Sequence, residues 1–412
     1  MSETNYKKPI LVIGGGISGI TTAVELAEAG KEVIMVEKQS YLGGNVVKMN
    51  SYFPKLCPPT CGLEINFRRI RQNPRIKYIT NSTVCDISGE KGNFSVKVKT
   101  TAQFVNSNCT ACGECVAVCP EERPDEFNYN LSKTNAIYLP HEMAFPYKYS
   151  IDSDFCKKES CNKCADVCKY DAIDFSVKDE EIMLEVQSVV CATGWQNFNA
   201  AKLENLSYSE SEKILTNVEF ERIMAPNGPT GGKLQKLSDQ SVPNEVCFVQ
   251  CAGSRDDNHL MYCSAVCCSA SLKHALNIIE KSPKTKVKIF YIDLRVFGRN
   301  EDFLEKVKAE KNIELIKGKV GRINANNESG KLVIEAEDIQ HGKKLKHETD
   351  LVVLATGIES NPITHQLNKN AVGFLTENQI EGISAVACCK KPMDVSASVK
   401  DATAAALKAI QN

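Results

Sequence analysis

The sequence predicts an α/β protein interrupted by a cysteine-dense insert, and three observations predict it. A short apolar strand near the start runs into a glycine-rich turn and an Ala/Leu-bearing helix. A second strand–helix–strand pattern begins near residue 245. Between them, over residues 105–178, regular periodicity gives way to closely spaced cysteines and scattered prolines.

Composition bounds the reading. At 412 residues the chain has room for two or three domains, and with 42% hydrophobic and 25% charged residues it can bury ordinary cores. Fifty Lys and Arg against 51 Asp and Glu leave a net charge of -1, so there is no basic field to attract nucleic acid. No stretch approaches the roughly 18 consecutive apolar residues of a membrane span. The start of the chain runs straight into a strand pattern without a leader-type apolar region, so the expected location is cytoplasmic. Nineteen cysteines are too many for such a compartment unless they hold metal or carry out redox chemistry.

The elements follow in order. Residues 9–13 form an apolar strand, 20–29 a helix stopped by Gly30, and 31–36 a second strand ending at Glu37. Alternation over 93–104 suits antiparallel strands. After the insert, 181–191 reads as a strand ending in Ala192-Thr193-Gly194, and the polar stretch 225–242 as a linker. Residues 245–250, 264–280 and 287–292 form the second strand–helix–strand unit. Strands near 332–336 and 351–355 precede a closing Ala-rich helix over 399–410. The expected domains are a dinucleotide-binding domain in three parts (1–104, 179–242 and 336–412), the insert (105–178) and a second Rossmann-like domain (243–335).

Gly14, Gly16 and Gly19 fit G-x-G-x-x-G between strand and helix, with Glu37 lying 18 residues beyond Gly19. The turn lets a pyrophosphate approach the backbone, the helix N-terminus offers free N–H groups, and Glu37 can accept from the adenosine ribose. Gly43-Gly44-Asn45 follows soon after. Together with Thr193-Gly194 and Thr356-Gly357 it resembles the pattern of two-dinucleotide-domain, thioredoxin-reductase-like flavoproteins, which makes the ligand FAD rather than NAD. The segment 386–395 lies where such proteins hold the ribityl chain. Ser18, Lys38, Val84 and Asp394 complete the expected FAD-binding set.

Cys109-x2-Cys112-x2-Cys115-x3-Cys119-Pro120 is a bacterial ferredoxin run, and Cys156-x4-Cys161-x2-Cys164-x3-Cys168 repeats it with a longer first gap. In such runs the fourth cysteine reaches the other cluster. This assigns Cys109, Cys112, Cys115 and Cys168 to one [4Fe–4S] cluster, and Cys119, Cys156, Cys161 and Cys164 to a second. Zinc is the alternative for Cys-x2-Cys pairs, and the repeated triplet spacing weighs against it. The insert is therefore expected to be an α+β two-cluster ferredoxin domain.

The second unit lacks a glycine fingerprint, which removes the basis for binding a nicotinamide cofactor. Cys251 at the strand end and Cys263, Cys267 and Cys268 at the helix start stand there instead. Spacing alone leaves open a cluster or packed thiols. Cys57-Pro58-Pro59-Thr60-Cys61 is open between a redox dithiol and a rigid turn. Cys85, Cys191, Cys247, Cys388 and Cys389 read as small packed hydrophobes, and the six histidines show no ligand spacing.

Several motifs together carry a family resemblance. They are the FAD fingerprint, the ferredoxin run followed by Pro124-Asp125-Glu126-Phe127 and Ala136-Ile137-Tyr138-Leu139-Pro140, and the pair Gln250-Cys251-x-Gly253-Ser254-Arg255-Asp256 and Tyr262-Cys263-Ser264-x-x-Cys267-Cys268. On these the sequence resembles the A subunits of heterodisulfide reductases. The resemblance implies a third [4Fe–4S] cluster on Cys251, Cys263, Cys267 and Cys268. Members of that family carry further sequence at both ends. The shorter form is similar to the A subunits of quinone-interacting membrane-bound oxidoreductase complexes of sulfate reducers. That likeness implies three partners: adenylylsulfate reductase, a menaquinone-reactive membrane subunit, and a second flavin and iron–sulfur subunit. It also implies a peripheral position on the inner membrane face through those partners. The alternative within the family is flavin-based electron bifurcation or thiol/disulfide chemistry. Either way the chain reads as an electron-transfer oxidoreductase subunit without a dedicated acid–base or nucleophilic constellation.

Overall fold

The computed structural model describes residues 8–52, 56–326, 328–361, 363, 367–377 and 379–411. The first seven residues, on which the reading of a leader-free start partly rests, lie outside these.

Two five-stranded parallel sheets organise the chain. The first joins β1 (Ile10–Ile13), β2 (Val33–Val36), β3 (Ile76–Ile79), β4 (Ser188–Cys191) and a last strand, Ile383–Ala385, in the order last-β4-β1-β2-β3. Its central strands are apolar and buried along their length, as a sheet covered on both faces requires. Helix α1 (Ile17–Glu28) returns from β1 and packs against the final helix, α2 (Val395–Gln411), where Thr22 Oγ1 donates to the carbonyl of Ala402.

The second sheet contains β5 (Ile214–Thr216), β6 (Glu245–Ala252), β7 (Lys286–Tyr291), β8 (Ile313–Lys317) and β9 (Leu351–Thr356), in the order β5-β9-β6-β7-β8. Helices α3 (Asn217–Met224) and α4 (Cys267–Lys281) cover one face. The sheet thus draws strands from 214–216 and 351–356, outside the expected span of 243–335. The stretch 225–242, read as a linker, lies between α3 and β6, inside this unit. Pairing between β5, β9 and β6 decides this, and pairing is a tertiary property with no local signature.

The insert sits at the tip of an antiparallel ribbon. Strand Asn93–Thr100 leads into it, and Glu180–Val186 leads out and pairs back in register, Glu180 opposite Thr100. The single strand expected over 181–191 breaks at Gln187. Its first half alternates exposed and partly buried residues up to the buried Val186, whereas Ser188–Cys191 is wholly buried and pairs with β1.

Arg222 on α3 ties the units together. Its fully buried guanidinium donates to Asn128 Oδ1 of the insert (2.8 Å), to the carbonyl of Lys48 after the Gly-Gly turn (2.8 Å), and to Asn227 (2.9 Å to O, 2.8 Å to Oδ1). It also lies 4.6 Å from the ring centre of Phe127.

Candidate cofactor sites

The dinucleotide cradle is built by close backbone approach. Gly14 adopts φ +107° and donates to the carbonyl of Val36 (2.8 Å), closing the turn from β1. A Cβ on Gly19 would fall inside the Gly14 carbonyl, so α1 can pass over the turn only with glycine there. Gly43 donates to the Gly15 carbonyl (2.7 Å), bringing the Gly-Gly turn alongside Gly16; a Cβ on Gly44 would lie 2.8 Å from the Gly16 Cα. The first turn of α1 has neither a side-chain cap nor an acidic residue, which leaves its N–H groups and positive end to an anionic ligand.

Glu37 ends β2, buried, accepting from Gly15 N–H (2.5 Å) and Gln39 N–H (2.8 Å). Burial raises its pKa, opposed by these backbone donors and by Lys38, which is itself exposed. Ser18 is buried in the first turn of α1. Asn45 donates to the carbonyl of Trp195 (2.7 Å), linking the Gly-Gly turn to the chain just beyond Thr193-Gly194. Thr193 Oγ1 is buried with no hydrogen-bond partner among the described residues, as befits a hydroxyl facing a cofactor. Val84 packs into the core beside Val36, and the exposed Asp394 accepts from Ala397 N–H (2.7 Å) at the start of α2.

Thr356 and Gly357 are not brought to this turn. Thr356 ends β9 in the second sheet, its hydroxyl between Asn197 Oδ1 (2.9 Å) and Asn217 Oδ1 (3.0 Å). A Cβ on Gly357 would meet Ser264 Oγ at 2.8 Å. Both lie beside the third cysteine group.

The insert gathers its cysteines into two pockets. One is lined by Cys109, Cys112, Cys115 and Cys168, the other by Cys119, Cys156, Cys161 and Cys164. Each set combines three cysteines of one run with one from the other. Burial and neighbouring thiols push Cys115 up to about 12 and Cys164 up to about 11. Buried thiols so disfavoured as anions suit a site where bound cations offset their charge.

The third group converges at the C-terminal end of β6. Cys251, Cys263, Cys267 and Cys268 lie within electrostatic reach of one another, and burial followed by neighbouring thiols raises Cys267. Cys251 is raised by burial and lowered by Arg255 and Arg295, two cations whose role spacing alone does not reveal. Arg255 is anchored by Asp293 (3.0 Å).

One local geometry recurs in all three groups. Ala111 N–H points at Cys109 Sγ (3.4 Å), Lys158 N–H at Cys156 Sγ (3.3 Å) and Ala265 N–H at Cys263 Sγ (3.4 Å). Each donor residue is left-handed, with φ of +55°, +51° and +61°. Carrying a Cβ, each bears a backbone cost that the turn toward sulfur explains.

Cys61 is exposed in the first turn of the helix Thr60–Gln72, and the Cys57 carbonyl accepts from Tyr52 N–H (3.1 Å). Burial and then these two thiols raise the Tyr52 hydroxyl, placing both near it.

Residues 9–76 match the FAD dependent oxidoreductase family. The iron–sulfur A subunit of CoB–CoM heterodisulfide reductase from Methanocaldococcus jannaschii is 35% identical over 422 residues, covering 97% of this chain and 63% of that protein. A counterpart from Methanopyrus kandleri is 36% identical over 417 residues, with the same coverages. The chain therefore spans less than two thirds of the length of these relatives. Thioredoxin reductase of Lactococcus lactis, at 12% identity, overlays with a TM-score of 0.55 across 98% of both chains, and this likeness shows the fold alone. Among the described residues no helix is long and apolar enough to cross a membrane.

Proposed function

We propose, on the premise that this chain is a homologue of the heterodisulfide reductase A subunits over nearly its whole length, that it is an FAD and iron–sulfur electron-transfer subunit of a larger oxidoreductase. Gly14, Gly16 and Gly19 with the N-terminus of α1 would hold the pyrophosphate, and Glu37 the adenosine ribose. Cys109, Cys112, Cys115 and Cys168 would hold one [4Fe–4S] cluster, Cys119, Cys156, Cys161 and Cys164 a second, and Cys251, Cys263, Cys267 and Cys268 a third. When bound, the flavin supplies two-electron exchange and the clusters one-electron exchange. The residues bind and shield: the core around β1 and α1 excludes water from the cradle, and Arg255 and Arg295 offset negative charge at the third thiol group.

The observation that carries this reading is the shared amide-to-sulfur turn, because the third group repeats the local geometry of the two ferredoxin-type groups. The finer assignment is to a complex passing electrons between adenylylsulfate reductase and a menaquinone-reactive membrane subunit. It rests on the resemblance of the Cys57-Pro58-Pro59-Thr60-Cys61 stretch and of the insert to the sulfate reducers' A subunits. A peripheral place on the inner membrane face belongs to the same assignment.

The test is anaerobic purification with iron, sulfide and flavin counted. About twelve iron per FAD is expected, at four iron per four-cysteine site. A count of about eight would remove the third cluster, and zinc without flavin would overturn the reading. Cys112→Ala is expected to lose about four iron while retaining FAD.

A further inference from the structure

At the N-terminal end of β6, away from the three cysteine groups above, three different donor groups meet. Glu245 and Cys247 are two residues apart on one strand and so point to the same face. His347 reaches them from the strand Lys343–Thr349. One ligand atom from each lies within 4.8 Å of the others. The Cys247 thiol approaches Glu245 Oε1 at 3.7 Å, and His347 Nε2 contacts the same oxygen.

The frame around these groups is fixed. Glu245 N–H donates to Asp350 Oδ2 (3.2 Å), and its carbonyl accepts from Thr349 Oγ1 (3.2 Å). Cys247 is fully buried, whereas Glu245 and His347 keep 14% and 21% side-chain exposure. Lys288, a cation packed nearby, stands opposite Cys247 on β7 and is paired with Glu314 (2.8 Å).

We propose that Glu245, Cys247 and His347 form a site for a divalent cation of the zinc class, with water in the fourth position. An N/O/S donor set is what such borderline-soft ions take. Tetrahedral bonds of about 2.3 Å to sulfur and about 2.0–2.2 Å to oxygen put those two atoms about 3.6 Å apart, close to the separation found. On binding, the Cys247 thiol gives its proton to solvent as the sulfur–metal bond forms. The ion would clasp the hairpin strand carrying His347 to the parallel sheet. Cysteine and histidine spacing cannot reveal the site, because 100 residues separate Cys247 from His347 and only sheet packing unites them.

The test uses holoprotein purified without oxygen, with flavin and clusters in place, incubated with Zn²⁺ and desalted. One zinc per chain is expected, with a zinc-edge absorption shell of one sulfur near 2.3 Å and lighter neighbours at about 2.0–2.2 Å. His347→Ala, on a partly exposed strand, is expected to lose that zinc while iron and flavin stay constant, and Cys247→Ser to lose the sulfur scatterer. Equal zinc in wild type and His347→Ala, or a shell of sulfur alone, would overturn the proposal.

Discussion

Gly19 stands where α1 crosses the carbonyl of Gly14, and no side chain fits there. Gly19→Ala is expected to force the helix off the turn, costing about 1–3 kcal/mol and emptying the cradle of flavin. Loss of the yellow absorbance together with a lowered melting temperature checks it; undiminished flavin content would refute the packing argument. This residue and its partners were legible in the sequence because the constraint is local: a tight turn needs glycine wherever the chain folds. The insert cysteines were legible for a similar reason, since a ligand loop wrapping one cluster must repeat short gaps. Arg222 was not. A charged residue on an amphipathic helix reads as solvent-facing, and only the arrival of Asn128 and Lys48 from distant segments, beside the neighbouring Asn227, explains its burial.

Helices α3 and α4 are joined by a buried charge cluster. Lys273 Nζ binds both oxygens of Glu221 (2.7 and 2.6 Å), His274 contacts the same carboxylate, and Asn50 N–H donates to it (2.8 Å). Burial would raise the Glu221 carboxyl, but Lys273 and His274 outweigh it and hold it well below its ordinary 4.5. Burial lowers His274 below 6.5 despite Glu221. Both shifts carry the same sign. A depressed carboxyl contributes stability above its unfolded value and loses it as pH falls, and a depressed imidazole is penalised as soon as the unfolded chain begins to take up its proton. Melting temperature is therefore expected to be flat above about pH 7, to fall below about 6.5, and to steepen below about 4.5. Glu37, raised by burial, acts with the opposite sign, so the comparison with Glu221→Gln isolates the cluster. That variant is expected to cost about 3 kcal/mol at neutral pH by stranding Lys273, and to remove the steepening below about pH 4.5 while the His274 decline below about 6.5 remains. An unchanged arm would place the acid sensitivity elsewhere. None of this is written in helical periodicity, because the partners sit on two helices and a loop.

At the scale of the whole molecule, the insert is held by its ribbon and by Arg222. Arg222→Leu is expected to cost about 2–5 kcal/mol, since Asn128 Oδ1 and the Lys48 carbonyl lose their buried donor. It is also expected to free the insert for proteolytic cleavage near residues 100–105 and 174–180 while the insert keeps its iron. Cleavage as slow as in wild type would show that the ribbon alone suffices. The sequence displays two strand–helix–strand units, only the first with a glycine fingerprint, and an interruption between them, but not which strands close the second sheet. β5 and β9 are short apolar runs that suit either sheet, and their partners decide.

The break at Gln187 has a mechanical consequence. The strand leaving the insert and the strand entering the first sheet are one continuous stretch of backbone, bent at a single residue, and it ends at Cys191, next to Ala192, whose carbonyl lies against Gly14 of the cradle. Any tilt of the insert must therefore travel along a stiff lever whose far end touches the dinucleotide turn. The interval between the insert and the first sheet is set by peptide bonds as well as by surface contact, so a displacement of the insert would be felt at the glycine turn without any loop having to move.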